Sequence, residues 1–215
     1  MKLFFWVLPC IVTSMDSGSA PEGADEDIRL IRSVLKGNTS DYRYLVEKYW
    51  NPIFRYASTF LASREEAEEA VQDIFVRGYR YLGSFRIGQD FLPWIFGIAS
   101  NRLRERYGRI KRLQKGLEKY RRYAADDLPE YRDPETEVLE EQDRIEIRRA
   151  VEKLPVSLRD SVYLYYFEEM DIEGIAAALG LSRENVKSRL HRGRKKLRLF
   201  LEKMQPKRNG GGIGG

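Results

Sequence analysis

The 215-residue chain predicts an all-α protein, with two small helical domains joined by a flexible linker. Three observations carry this. Apolar residues recur at intervals of three and four through two long stretches, and no stretch alternates as a strand would. Between the two stretches lies AADDLPEYRDPETEVLEEQD, acidic and broken by prolines. The chain is 42% hydrophobic, enough to build a core, and 33% charged. It divides into a tail over 1–26, a helical bundle over 27–109, a linker over 110–145, a helix-turn-helix domain over 146–203 and a disordered tail over 204–215.

Lys2 and the apolar run LFFWVLPCIVTSM have the outline of a short signal peptide. The run is shorter than the ~20 residues a membrane span needs, so no stable membrane insertion is expected. Met15 opens a second plausible start, followed by the polar leader DSGSAPEGADED. A start at Met15 is preferred, with residues 1–14 a mis-assigned extension or an unusual tail, because the remainder reads as a cytoplasmic DNA-binding protein.

In the first unit, DIRLIRSVLK is an amphipathic helix ended by Gly37-Asn38. Tyr42, Leu45, Val46, Tyr49, Ile53, Phe54, Ala57 and Phe60 trace a second helix, bent or restarted at Pro52. Ser63 and Glu66 form a capping box for a third, through Ala67, Ala70, Val71, Ile74 and Phe75 to about Leu82. Gly83 to Asp90 is a loop. Phe91 to Tyr107 is the fourth helix, with Trp94, Ile95, Ile98 and Leu103 inward and Asn101, Arg102, Arg104, Arg106 and Arg109 near its far end. Residues 110–123 are basic and suit an extension of it.

In the second unit, Ile147, Val151 and Leu154 lead to a turn at Pro155. The helix Leu158 to Phe167 presents Leu158, Val162, Tyr165 and Tyr166 to the helix-turn-helix. Ile172, Ile175, Ala176 and Leu179 form one apolar stripe. Gly180 permits the left-handed residue that ends a helix, and Ser182 caps the next. The small Ala176 and the turn Gly180 let the two helices cross closely. In the last helix Val186, Leu190 and Leu197 face inward. Lys187, Ser188, Arg189, His191, Arg192, Arg194, Lys195, Lys196 and Arg198 make a basic outer face, suited to a DNA major groove. A solvated face on an ordinary amphipathic helix is the plain alternative.

Net charge is +5, compatible with nucleic acid. Cys10 is the single cysteine, so no intrachain disulfide and no cysteine zinc site are expected. His191 is the single histidine, and a Ser/His or Cys/His catalytic arrangement is poorly supported. The carboxylates Glu65, Glu66, Glu68, Glu69 and Asp73 fit a solvated helix face better than a metal site. No enzyme, metal or cofactor is expected.

LVEKYWNPIFRYASTFLASREEAEEAVQDIFVRGYRYLGSF with FLPWIFGIASNRLRERYGR resembles the promoter-melting domain of the sigma-70 family, in its extracytoplasmic-function (ECF) branch. LPVSLRDSVYLYYFEEMDIEGIAAALGLSRENVKSRLHRGRKKLRLFL is similar to that family's C-terminal domain. The resemblance implies an RNA polymerase initiation factor. Gln72, Asp73, Phe75 and Val76 would dock on the β′ clamp helices of core RNA polymerase, whose β subunit is a further partner. Phe85 and Asn101 would take a flipped base of the −10 element, with Arg102 and Arg104, and Arg106 and Arg109 beyond them, on phosphates. Trp94 matches a family tryptophan that mainly packs. Arg183, Lys187, Ser188, Arg189, His191 and Arg192 would read the −35 element of promoter DNA. The linker would run toward the RNA exit channel, where its acidity suits RNA mimicry and plain solvation equally. An anti-sigma factor is the implied opponent. Two departures stand out. Gly174 replaces a usual Glu, removing a capping partner for Asp171. His191 stands where an aromatic or apolar residue is common, so promoter preference is expected to differ. The rival is a stand-alone helix-turn-helix regulator, which leaves the 27–109 bundle without a purpose.

Overall fold

The computed structural model describes residues 24–118, 147 and 150–204. The readings made for the leader up to residue 23, for the acidic stretch and for residues beyond 204 lie outside the described residues. Helix α1 (Ala24–Leu35) starts three residues before the expected Asp27, with Asp25, Glu26 and Asp27 in its first turn. Carboxylates there satisfy the positive end of the helix dipole. Asp27 also does tertiary work: it is buried, accepts from Lys48 Nζ at 2.6 Å and takes the Tyr49 hydroxyl.

Helix α2 (Tyr42–Ser58) runs through Pro52 instead of restarting there. The proline removes one backbone donor, yet Tyr49, Ile53, Tyr56 and Ala57 on either side are all buried. Tertiary packing of that stripe outweighs the lost bond. Helix α3 (Arg64–Tyr81) opens as expected, Ser63 accepting from the Glu66 amide at 3.1 Å. Helix α4 (Phe91–Glu118) continues 11 residues past Tyr107, into the basic stretch that suited its extension. No proline interrupts residues 108–118, and the basic run suits the negative end of a helix.

The second unit is built from α5 (Val156–Tyr166), α6 (Ile172–Leu179) and α7 (Arg183–Met204). Among the described residues there is no strand, only an isolated bridge between Ile87 and Gln89 in the loop before α4. None of these helices is long and apolar enough to cross a membrane.

Helix α5 departs most from expectation. Every residue from Leu158 to Leu164 is buried, including Arg159, Asp160 and Ser161. A helix with one partner hides one stripe; a helix buried all round lies between two. Its Leu158–Val162 side meets the helix-turn-helix, and its polar side meets the first unit. The buried apolar residues of both units therefore form one continuous core, from Ile31 to Leu190.

Candidate nucleic-acid interface

Asp171 caps α6 by accepting from the Gly174 amide at 2.6 Å. Gly174 lacks the side chain that would reach back to Asp171, but the other half of the cap is in place. The bond from Asp171 needs only a backbone donor, and glycine supplies it. Gly180 has φ 63° and ψ 42°, the left-handed residue that ends the helix. Ser182 accepts from the Asn185 amide at 3.2 Å and starts α7. Ala176, expected at the crossing of α6 and α7, is half-buried. A separate close approach, between α7 and α5, lies at Gly193, where a side chain would run into Val162.

Helix α7 divides cleanly. Val186 and Leu190 are buried, and Leu197 packs against the core edge. Lys187, Ser188, His191, Arg192, Lys195, Lys196 and Arg198 are exposed. Of the residues assigned to the −35 element, Arg183 pairs with Glu173 at 3.1 Å and Arg192 donates to the Ser188 carbonyl at 3.3 Å. Arg189 is half-buried. Burial lowers its pKa first, and the nearby charge of Arg104 lowers it further, while Asp160 opposes. Arg194 turns back to the core, donating to the Tyr166 hydroxyl at 2.8 Å over the Tyr165 and Tyr166 rings. It does not belong to the outer face.

The bundle is different. Asn101 is exposed. Phe85 is 5% exposed, with Trp94 edge-on at 5.4 Å and Phe91 at 6.1 Å. It closes the aromatic end of the bundle beneath its own loop. The arginines are engaged. Arg102 is paired with Asp73 and, at 3.3 Å, with Glu105. Arg106 is paired with Glu69 at 2.7 Å. Arg104 donates from Nε to Asp160 at 2.6 Å.

On the surface assigned to polymerase, Gln72 is exposed and Val76 is 49% exposed. Phe75 is a correction: at 4% exposure it stacks on Trp50 at 6.1 Å, and its carbonyl accepts from Tyr42 at 2.8 Å. The family resemblance alone places it with Val76 on one surface. A helix turns about 100° between neighbours, so Val76 faces out while Phe75 faces in. Asp73 is held by Arg77 at 3.3 Å and by Arg102.

Sequence reasoning missed the cluster at Asp160. This carboxylate has no solvent exposure. It accepts from the Tyr56 hydroxyl at 2.7 Å and is ion-paired with Arg104. Burial raises its pKa, and Arg104, then the Tyr56 bond, pull it back. Beside it Arg159 donates to the carbonyls of Thr59, Glu152 and Leu154, with its guanidinium 5.1 Å from the Phe60 ring centre. A charged pair set among Leu158, Val162, Tyr163 and Leu164 was the available signal. A helix with apolar residues on both sides of its polar positions has no obvious solvent face.

Comparison with known proteins agrees with this architecture. The family model described as Sigma-70 region 2 matches residues 45–113, and that described as Sigma-70, region 4 matches residues 144–197. The ECF RNA polymerase sigma factor SigW of Bacillus subtilis is 29% identical, over 78% of this chain and 92% of its own. The ECF RNA polymerase sigma-E factor of Escherichia coli is 28% identical, over 77% and 88%. Among solved structures, CnrH in complex with the cytosolic domain of CnrY has a TM-score of 0.62 at 23% identity, covering 83% of this chain and 99% of that one. The sigma factor RpoE in complex with the anti-sigma factor NepR from Bartonella quintana has a TM-score of 0.59 at 19%, covering 77% and 99%; at these identities the likeness is one of fold. With both regions matched in order and relatives aligned through nearly their whole length, the chain belongs to the sigma-70 family, as an ECF-type RNA polymerase sigma factor.

Proposed function

We propose that this chain opens promoters by placing α7 on the −35 element and capturing melted −10 DNA around Asn101. The observation that carries this is the exposed, cationic outer face of α7, opposite a buried Val186–Leu190 seam in a capped helix-turn-helix. Lys187 and Arg192 supply phosphate or guanine contacts, and Ser188 and His191 lie between them. A good bidentate pair from arginine or lysine to guanine discriminates by about 1–3 kcal/mol. Arg183 and Arg189 flank this set. In the bundle, Asn101 reads the edge of a displaced base, Phe85 backs its pocket, and Arg102 and Arg104 take phosphates. Gln72, Asp73 and Val76 contact core polymerase, with Phe75 holding their helix in place from within.

Binding energy drives strand separation, so no catalytic group, metal or cofactor is assigned. The working compartment is the cytoplasm, where polymerase and DNA are. The solved relative described as RpoE in complex with the anti-sigma factor NepR supports an inhibitory protein partner for this chain as well.

The test is reconstitution with core RNA polymerase on promoter fragments, following strand opening. The chain from Met15 opens specific promoters, and Asn101→Ala loses opening while still binding polymerase. Binding to duplex DNA without association with polymerase overturns this reading in favour of a stand-alone regulator.

A further inference from the structure

We propose that Gly193 and Arg194 are positioning residues for −35 recognition: they seat α7 on α5 at one rotation and one depth, and so aim Lys187, Ser188 and Arg192 at the bases. This rests on the −35 role proposed for α7. Arg194 lies in the basic run of α7 yet turns inward. Its Nε donates to the Tyr166 hydroxyl at 2.8 Å. Its guanidinium lies 5.4 Å from the Tyr165 ring centre and 5.9 Å from that of Tyr166. The two rings are edge-on to each other at 5.0 Å, so the guanidinium meets a formed aromatic corner at the end of α5. Residues two apart on a helix point about 200° from each other. Arg192 is therefore exposed while Arg194 faces α5. A rotation of α7 that brought Arg194 to DNA would carry Arg192 away from it.

Gly193 sets the depth. It is buried, and a Cβ there would run into Cγ2 of Val162 on α5. Valine is stiff about χ1, and Val162 has no solvent exposure, so the methyl does not swing clear. The missing side chain brings α7 onto α5 at the residue just before Arg194. That approach puts the guanidinium within reach of the Tyr166 hydroxyl. Rotation and depth are thus fixed at adjacent residues, within about two turns of Lys187. The seat matters more for reading than for holding. A contact to a base edge works only within about 0.5 Å and 10–20° of its productive geometry. A phosphate contact from a cation on a flexible stem accepts a wider range.

The experiment titrates DNA with the full chain bound to core RNA polymerase, at several salt concentrations. It reads two quantities: preference for a promoter over a single-base −35 variant, and the slope of log affinity against log salt. Tyr166→Phe deletes only the hydroxyl that Arg194 meets. It lowers the preference about three- to tenfold and leaves the salt slope unchanged, because no phosphate contact is lost. Arg194→Lys keeps the cation without the planar fork and lowers the preference equally. The double variant is no worse than either single one, since both break the same contact. Gly193→Ala lowers the preference by pushing α7 off α5. Adding Val162→Ala removes the obstructing methyl and restores the preference, although it empties buried volume and lowers the urea midpoint. Reading that recovers while stability falls is a result that mere support of the fold does not give.

A Tyr166→Phe chain with wild-type preference overturns the proposal. So does a Gly193→Ala, Val162→Ala chain that discriminates no better than Gly193→Ala alone. A third contrary result is a salt slope reduced by about one in Arg194→Ala while Arg194→Lys keeps slope and preference, which places Arg194 on a phosphate. A wild-type chain that joins polymerase yet shows no preference between the promoter and the −35 variant sinks the −35 reading of α7 itself, and the positioning role with it.

Discussion

The two surfaces proposed to contact DNA carry similar cations in opposite states. On α7, Lys187 and Arg192 stand in solvent. On α4, Arg102, Arg104 and Arg106 are each already paired with a carboxylate of the protein. The same residue types therefore have different energetics. A cation in solvent adds little to the fold and gives its full charge to DNA. A cation beside a buried carboxylate contributes to the fold and must exchange one anion for another before it meets a phosphate. Duplex recognition on α7 asks for an immediate electrostatic encounter. In the proposed sequence, capture of melted DNA comes after it, and each α4 arginine then has to leave its carboxylate first.

The largest break in this comparison comes from Asp160→Ala. It removes the carboxylate that Arg104 and Tyr56 share. Breaking a buried pair costs about 3–5 kcal/mol; Arg104 is partly exposed and recovers some hydration, so about 2–4 kcal/mol is expected. Global unfolding in urea checks it, with the shift in midpoint read at constant slope. A cost below about 0.5 kcal/mol, the level of an ordinary surface substitution, means that the pair does not form in solution.

A second effect sharpens the boundary between the units. Glu168, just after α5, has its pKa raised to about 7, chiefly by burial, with Arg55 of the first unit and the Tyr163 hydroxyl opposing. An acid whose folded pKa lies above its unfolded value binds more protons when folded. Its contribution is then favourable at low pH and is lost as pH rises from the ordinary glutamate range through about 7. The loss is about 1–2 kcal/mol once partial exposure is allowed for. Unfolding measured between pH 4.5 and pH 8 shows this slope in the wild type, and Glu168→Gln flattens it. Unchanged slopes in the two proteins place Glu168 in water, away from the interface.

Local chemistry made much of the fold legible from the residues. Ser63, Asp171, Gly180 and Ser182 announced helix ends because a cap is a bond between near neighbours in the chain. The stripe of Val186 and Leu190 announced the inner face of α7 because helical periodicity is also local. The features that were not legible needed partners far away in sequence. Tyr56 reaches Asp160 across 104 residues, and no spacing rule links them. Phe75 and Val76 are adjacent in sequence, and only the packing of Trp50 against one decides that the other faces solvent. The α4 arginines were readable as cations but not as paired ones, since Asp160 sits in a segment whose own pattern gave it no partner. Lys187, Ser188, His191 and Arg192 lie where helical periodicity put them, on the exposed side of α7.

The smallest expected effect on the fold sharpens the comparison most. Lys187→Ala removes a cation from the exposed face of α7, and stability changes by less than about 0.5 kcal/mol. DNA binding responds differently. A lysine on a phosphate releases about one condensed counterion, so its loss reduces the slope of log affinity against log salt by roughly one, equally for all sequences. A lysine on a guanine edge instead costs about 1–3 kcal/mol at one base pair and relaxes preference there. Titrations of the polymerase-bound chain at several salt concentrations, on a promoter and on a single-base −35 variant, separate these outcomes. Since Lys187 is one turn from the cap at Ser182, the start of α7 points into the groove if the base-specific result is found. The phosphate result moves the reading edge toward His191 and Arg192. If neither quantity changes while stability drops by more than about 1 kcal/mol, beyond the range of a surface substitution, the outer face of α7 is packed in solution, and the contrast between free and occupied cations fails.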